Sequence, residues 1–336
     1  MPSSVPSSAA LRRSSPRSRR NTTIGAALLA GAVLLTAQPA AAATPLRSLV
    51  TAVGTTSTVK LGSGTYSFAD FQPRVGLVLG GRSLTGTGRS STVVQMNAYS
   101  STRRSSVPTT TGSSNPLSLV QATGSPKLSN FTLQGTPQGH LYNGLQLYGT
   151  SGATVSSVKI DAIPGNAHVP PGETFGLNDL RTSSSKYTDL EIDGAGVGAS
   201  GFAANMSKNV SVTRGYFHDN PHSAGLTLYR TTNATLTDVR SIGNHMGLNF
   251  EQNSGTIDVV RPNLQISSAN GGFDFFIGGY TTAARVNIYD PVLPAGKKLR
   301  ILLKPTYGGK PNAQKRSDVH VYVNGVDRTS SLVTWF

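Results

Sequence analysis

Residues 224–252 read AGLTLYRTTNATLTDVRSIGNHMGLNFEQ: two glycines, 225 and 247, each precede an alternating apolar and polar run, with a polar, asparagine-bearing turn after the first. The same unit recurs along the chain. Glycines 144, 176, 201, 225, 247 and 272 open the segments GLQLYG, GLNDLR, GFAANM, GLTLYR, GLNFEQ and GFDFFI, at intervals of 32, 25, 24, 22 and 25 residues. A second alternating run follows each, as in ATVSSVKI, KYTDLEI, NVSVTRGYF, ATLTDVRSI and GTIDVVRPNL. No unit carries a helical period or a tight-hairpin signal, so consecutive copies are expected to stack rather than pair as antiparallel neighbours. Stacked this way, each strand bonds to its equivalents ~4.8 Å above and below, and the inward side chains form one apolar column.

The column can be followed through the units. One residue after each glycine stand Leu145, Leu177, Phe202, Leu226, Leu248 and Phe273; three after stand Leu147, Asp179, Ala204, Leu228, Phe250 and Phe275. Asp179 alone breaks the apolar rule. A carboxylate there requires bonding partners, as a buried cap on turn amides or a bulge that turns it outward, or it is a perturbed acid at the groove.

Composition agrees with a turn-rich β protein: 336 residues include 37 glycines and 19 prolines, and 13% are charged. The absence of cysteine excludes disulfides, thiolate metal sites and thiol nucleophiles. No G-x-S-x-G elbow or phosphate loop is present. The repeat pattern, with KLSNFTLQGT, ATVSSVKI and asparagine-rich turns, resembles the right-handed parallel β-helix proteins of the pectate-lyase-like superfamily over roughly residues 46–293. It matches neither the polygalacturonase set of Asn-x-Asp, paired aspartate and Arg-x-Lys nor the pectate lyase signature. The expected fold is therefore all-β, a right-handed parallel β-helix over 44–293, with a helical N-terminal cap over 45–53 and C-terminal capping strands over 294–336, Asn324-Gly325 marking a turn. Residues 97–116 read as a long flexible loop.

Residues 1–43 read as an export signal: Arg12, Arg13, Arg17, Arg19 and Arg20, then the apolar TIGAALLAGAVLLTA, then the small residues of AQPAAAAT. Ser18-Arg19-Arg20 resembles a twin-arginine signal, although Thr22, Thr23 and Ile24 depart from it. The apolar stretch is shorter than the ~20 residues of a membrane span. The chain carries 30 basic and 15 acidic residues; without the signal it keeps 25 against 15, a net +10. Such a field suits an acidic extracellular polysaccharide better than nucleic acid, and leaves oligomeric state open.

Side chains alternate across a strand, so the outward surface carries Gln146, Asn178, Ala203, Thr227, Asn249 and Asp274 in one row and Tyr148, Leu180, Asn205, Tyr229, Glu251 and Phe276 in the next, with Arg181 and Arg230 beyond. The resemblance implies an extended glycan lying on such a face. Asn178, Arg181, Asn205, Tyr229, Arg230 and Asn249 suit binding: aromatics stack on sugar rings, amides bond hydroxyls and arginines hold carboxylates. Glu251 and Asp274, aligned by their glycines, fall about 8 Å apart diagonally, within the ~6.5–9.5 Å of an inverting acid and base. His222 and His245, in turns before this face, are further acid–base candidates. HDNPH sets His218, Asp219 and His222 close in sequence, but its turn context gives no specific metal spacing, and no metal is expected. The leading expectation is a secreted glycoside hydrolase using Glu251 and Asp274; the alternatives are a polysaccharide lyase in which Arg181, Arg230 or Ca2+ neutralises a uronate while Tyr229 or a histidine takes its proton, and a non-catalytic glycan-binding solenoid.

Overall fold

A computed structural model describes residues 44–55, 57–68, 75–96, 118–135, 143–161, 175–194, 200–221, 223–266 and 272–336. The proposed signal, the 97–116 segment and His222 lie outside these residues. The chain is a parallel β-helix. Ten strands make one wholly parallel sheet: Val75–Gly80, Ser118–Ala122, Asn143–Tyr148, Leu177–Leu180, Phe202–Asn205, Ala224–Tyr229, Met246–Glu251, Phe275–Gly278, Leu299–Leu302 and Val333–Trp335. The second run of each winding joins an 18-stranded sheet, as where Lys186–Thr188 and Glu191–Asp193 pair with the two halves of Thr154–Asp161.

The repeating glycine has a steric cause. A Cβ at Gly225 would collide with Ser241 and Asn244, one at Gly176 with Ile192, and one at Gly247 with the Asp274 carbonyl. The chain enters each strand so close to its neighbours that only hydrogen fits. Within the lumen Leu145, Leu177, Phe202, Leu226, Leu248 and Phe275 are each 0% exposed, and the second sheet adds Val155, Val212, Leu236, Val259 and Ile288. Full burial of each such side chain contributes roughly 1.5–3 kcal/mol.

A second column holds the corners of the second sheet. Asn130, Ser157, Asp189, Arg214, Asp238, Arg261, Asp290 and Asn324 all adopt left-handed backbone, with φ between 47° and 60°. Asparagine and aspartate tolerate this conformation through local side-chain bonds, whereas arginine gains little there. Each of the two arginines instead clamps the aspartate one winding earlier: Arg214 holds Asp189 through bonds of 2.6 and 2.9 Å, and Arg261 holds Asp238 through two of 2.7 Å. These bonds keep both carboxyls below the ordinary range.

The last complete turns correct the alignment read from sequence. Leu248 pairs with Phe275 and Phe250 with Ile277, so Asp274, rather than Gly272, stands opposite Gly247. A slip of two residues leaves every side chain on its original face, so Phe273 and Phe275 satisfy the alternation as well as Phe275 and Ile277 do. Residues 294–336 continue the pairing: Leu299–Leu302 adds to Phe275–Gly278, Val333–Trp335 adds to that, and Val319–Val323 adds to Ala284–Tyr289. Two antiparallel hairpin pairings, Thr306–Tyr307 with Lys310–Pro311 and Tyr322–Val323 with Val326–Asp327, are added in this stretch. Asn324-Gly325 forms the expected hairpin turn, at φ 49° and 76°. At the other end, helix Leu46–Thr51 places Leu46 and Val50, one turn apart, in the core.

Asp179 does point into the lumen, 0% exposed and without a bulge. Its carboxyl faces the hydroxyls of Thr182, Tyr187, Ser185 and Ser207, none at full hydrogen-bonding geometry. Burial raises its pKa from 3.8 to about 6. The folded chain therefore binds this proton more tightly than the unfolded chain, and stability falls as pH rises from about 4 to about 6, by roughly 3 kcal/mol in all. Two outcomes are expected. Asp179→Asn raises the denaturation midpoint at pH 8 and changes it little at pH 4, where denaturant titration of both proteins should converge. Gly225→Ala lowers stability by about 1–3 kcal/mol through overpacking, measured the same way at pH 7.

Candidate functional site

The outer face of the ten-stranded sheet carries two rows that run from winding to winding. The first is Gln146, Asn178, Ala203, Thr227, Asn249 and Phe276. Gln146, Asn178, Thr227 and Asn249 are all buried, with Ser118 bonded to Gln146 and Ser200 to Thr227. The second row, Leu180, Asn205, Tyr229, Glu251 and Gly278, keeps its central three residues half-exposed. Ligand access therefore lies along the second row, near the ends of the strands. Just beyond it, Arg181, Met206, Arg230 and Gln252 occupy left-handed corners, with φ between 51° and 54°. This corner geometry turns Arg181 and Arg230 into solvent.

Glu251 accepts two side-chain hydrogen bonds on this face. Asn249 donates to its Oε1 at 2.6 Å, and the Tyr307 hydroxyl donates to its Oε2. Tyr229 stands beside Glu251 on the preceding winding. The Tyr229 hydroxyl accepts from Gln252 at 3.4 Å, and the Arg230 guanidinium lies 5.1 Å from the Tyr229 ring centre while donating to Gln252 Oε1. Phe276 and Tyr280 pack against Tyr307 at 6.1 and 5.9 Å, and Lys310 covers Tyr280 at 5.1 Å.

Tyr307 arrives from a short hairpin, Thr306–Tyr307 with Lys310–Pro311, inserted between two strands of the helix. Asn312 anchors it by accepting from Gly279 N–H at 3.0 Å and donating to the Lys304 carbonyl at 2.8 Å. Burial first, and then the bond and charge of Glu251, push the Tyr307 phenol well above its usual range. Tyr307 therefore stays protonated at neutral pH and donates its hydrogen bond to Glu251.

The residues expected from sequence divide into two groups. Asn249, Glu251, Tyr229 and Arg230 meet in one cluster; Asn205 adjoins Tyr229 and donates to Asn178 at 2.6 Å, continuing the line. Arg181 sits at the corner of the Asn178 strand. Asp274 does not join them. Because it pairs opposite Gly247, it stands four strand positions from Glu251, about 14 Å between Cα atoms. Its Oδ2 accepts from Arg300 N–H at 2.8 Å, and burial holds its carboxyl above the ordinary range, partly offset by that bond. His245 lies six residues before Glu251, where its N–H bonds the Asn220 carbonyl, at the other end of the strand. His222 falls outside the described residues. Tyr307 has no signal in the repeat pattern, since it stands outside any repeat.

No protein-family model matches this chain, and no curated protein does. Among solved structures it is similar to the catalytic domain of a GH87 alpha-1,3-glucanase in complex with tetrasaccharides, with a TM-score of 0.42 and 11% identity over 88% of this chain and 67% of that one. It is also similar to the A-module of the Azotobacter vinelandii mannuronan C-5 epimerase AlgE4, with a TM-score of 0.42 and 14% identity over 83% and 82%. A tailspike of an Acinetobacter phage gives a TM-score of 0.40 and 11% identity over 80% and 58%.

Proposed function

We propose that the chain binds an extended acidic polysaccharide along the Asn178–Asn205–Tyr229–Glu251 line and cleaves it by β-elimination at Glu251. The Tyr307–Glu251 hydrogen bond carries this reading. It joins a carboxylate to a phenol held protonated, so an acceptor and a donor share one substrate-facing position. In the reaction Glu251 takes the C5 proton of a uronate, the C4–O bond breaks, and Tyr307 protonates the departing oxygen. Glu251 then returns its proton to Tyr307 across their bond, restoring both groups. Arg230 pairs with the uronate carboxylate and offsets the charge that develops there, a role that the sequence left open to Ca2+. Tyr229 and Tyr280 offer faces for sugar rings.

Inverting hydrolysis by Glu251 and Asp274 is the weaker reading, because about 14 Å exceeds the ~6.5–9.5 Å that a water-activating pair spans. As part of the same proposal, residues 1–43 direct the protein out of the cell, where such polymers occur.

A panel of uronate-containing and neutral polysaccharides tests the proposal by ultraviolet absorbance of unsaturated ends alongside a reducing-end assay. Both signals should rise together on a uronate polymer. Tyr307→Phe should lower kcat about 10²–10⁴-fold, Glu251→Gln should do at least as much, and Arg230→Ala should both lower kcat and raise KM. Reducing ends without unsaturation would identify hydrolysis, and affinity without cleavage would identify a binding solenoid; either result overturns elimination.

A further inference from the structure

A second polar cluster lies on the outer face of the other sheet and does not depend on the proposed glycan chemistry. Register puts Asp193 directly opposite His218 on the next winding. Asp219 follows in left-handed conformation at φ 58°, which swings its carboxylate back so that Oδ2 lies 2.7 Å from His218 Nδ1. One ligand atom from each of Asp193, His218 and Asp219 lies within 4.8 Å of the others. We propose that these three residues bind one divalent cation of borderline type, such as Zn2+ or Mn2+, that clamps two successive windings together.

Three observations besides proximity support a built site. First, the imidazole is fixed in place: it stacks on Tyr216 at 4.3 Å, its side chain is 12% exposed, and its Nε2 is buried with no hydrogen bond. Glu191 Oε1 stands 3.8 Å from that nitrogen. A carboxylate that accepts from the outer nitrogen of a ligating histidine sets its tautomer and orientation, and Glu191, whose Oε1 also pairs with Lys159 at 3.2 Å, takes that role once it closes to hydrogen-bonding distance. Second, the next winding carries Gly243 at φ 70°, where a Cβ would approach Asp219 Oδ1 to 2.7 Å. A glycine there leaves the carboxylate its space. Third, charge is concentrated locally. In a chain of net charge +15, Asp161, Glu191, Asp193 and Asp219 supply four of its 15 acids to this one patch, and Lys159 and Arg89 turn toward Glu191 at 3.2 and 3.3 Å.

The donor set decides the metal class. One imidazole nitrogen with two carboxylates suits Zn2+ or Mn2+, whereas Ca2+ seeks six to eight oxygens. Reading HDNPH as a local motif pairs His218 and Asp219 with His222; the stacked fold brings Asp193 to them instead, from 25 residues earlier.

The test uses the full chain after chelator treatment, with Zn2+, Mn2+ and Ca2+ as separate titrants in calorimetry and in thermal melts. Zn2+ or Mn2+ should bind at one ion per chain and raise the melting temperature, with Ca2+ weaker. Asp193→Asn and His218→Gln should each weaken binding at least about 100-fold and abolish the melting shift, and Glu191→Gln should weaken it about 10–100-fold. Asp219→Asn, at a more exposed side chain, gives the same result if either of the first two fails to fold. No binding by Zn2+ or Mn2+, or binding that survives every ligand substitution, overturns the site.

Discussion

The backbone hydrogen bonds of this protein run between successive windings, and every other feature depends on them. Each strand of the ten-stranded sheet lies parallel to its equivalents before and after it, so residues 22 to 43 apart in sequence become neighbours about 4.8 Å apart. The stacking is tightest where the chain enters a strand without room for a Cβ, as at Gly176, Gly225 and Gly247. It also requires sharp corners between sheets, met by the left-handed column that includes Asp189, Arg214, Asp238 and Arg261. The two Arg–Asp clamps join windings at those corners, and a slip by one winding would bring arginine beside arginine and aspartate beside aspartate. The alternation therefore favours one stacking order.

The same stacking determines where chemistry can occur. From Leu145 to Ile277 the inward positions of the ten-stranded sheet are filled by aliphatic and aromatic side chains, apart from Asp179. Outward positions form continuous rows, and a row that aligns amides, aromatics and one carboxylate offers an extended polymer a repeating series of contacts. Glu251 differs from the rest of its row because the hairpin carrying Tyr307 covers it and supplies a protonated partner. Asp193, His218 and Asp219 likewise converge only because two windings are in register.

Much of this was legible in the sequence. The glycine-led period revealed the windings, and the apolar residues one and three positions later identified the lumen from Leu145 to Phe250, including the exception at Asp179. The alternation also put Asn205, Tyr229 and Glu251 on the outer face. What failed was the last alignment. Period-2 patterning fixes which face a side chain takes but cannot distinguish registers two residues apart, and Gly272 offered a false anchor. That alignment sets Asp274 level with Asn249, about 8 Å diagonally from Glu251, whereas it pairs opposite Gly247 and accepts from Arg300. Tyr307 could not be found by any repeat argument, since its contact with Glu251 spans 56 residues and depends on an inserted hairpin. Arg214 and Arg261 were not recognised as corner residues, because a bulky cationic side chain carries no left-handed signal of its own.

The absence of cysteine permits a direct measurement of the register on which the site rests. Asn249 pairs with Phe276, whereas Asp274 lies two positions back along that strand. In the double variant Asn249→Cys with Phe276→Cys, Cα atoms about 4.8 Å apart should oxidise readily to an intramolecular disulfide. In Asn249→Cys with Asp274→Cys, a separation of about 8 Å should prevent it. Cross-linking of the second pair but not the first would contradict the stacking described here and return Asp274 to about 8 Å from Glu251.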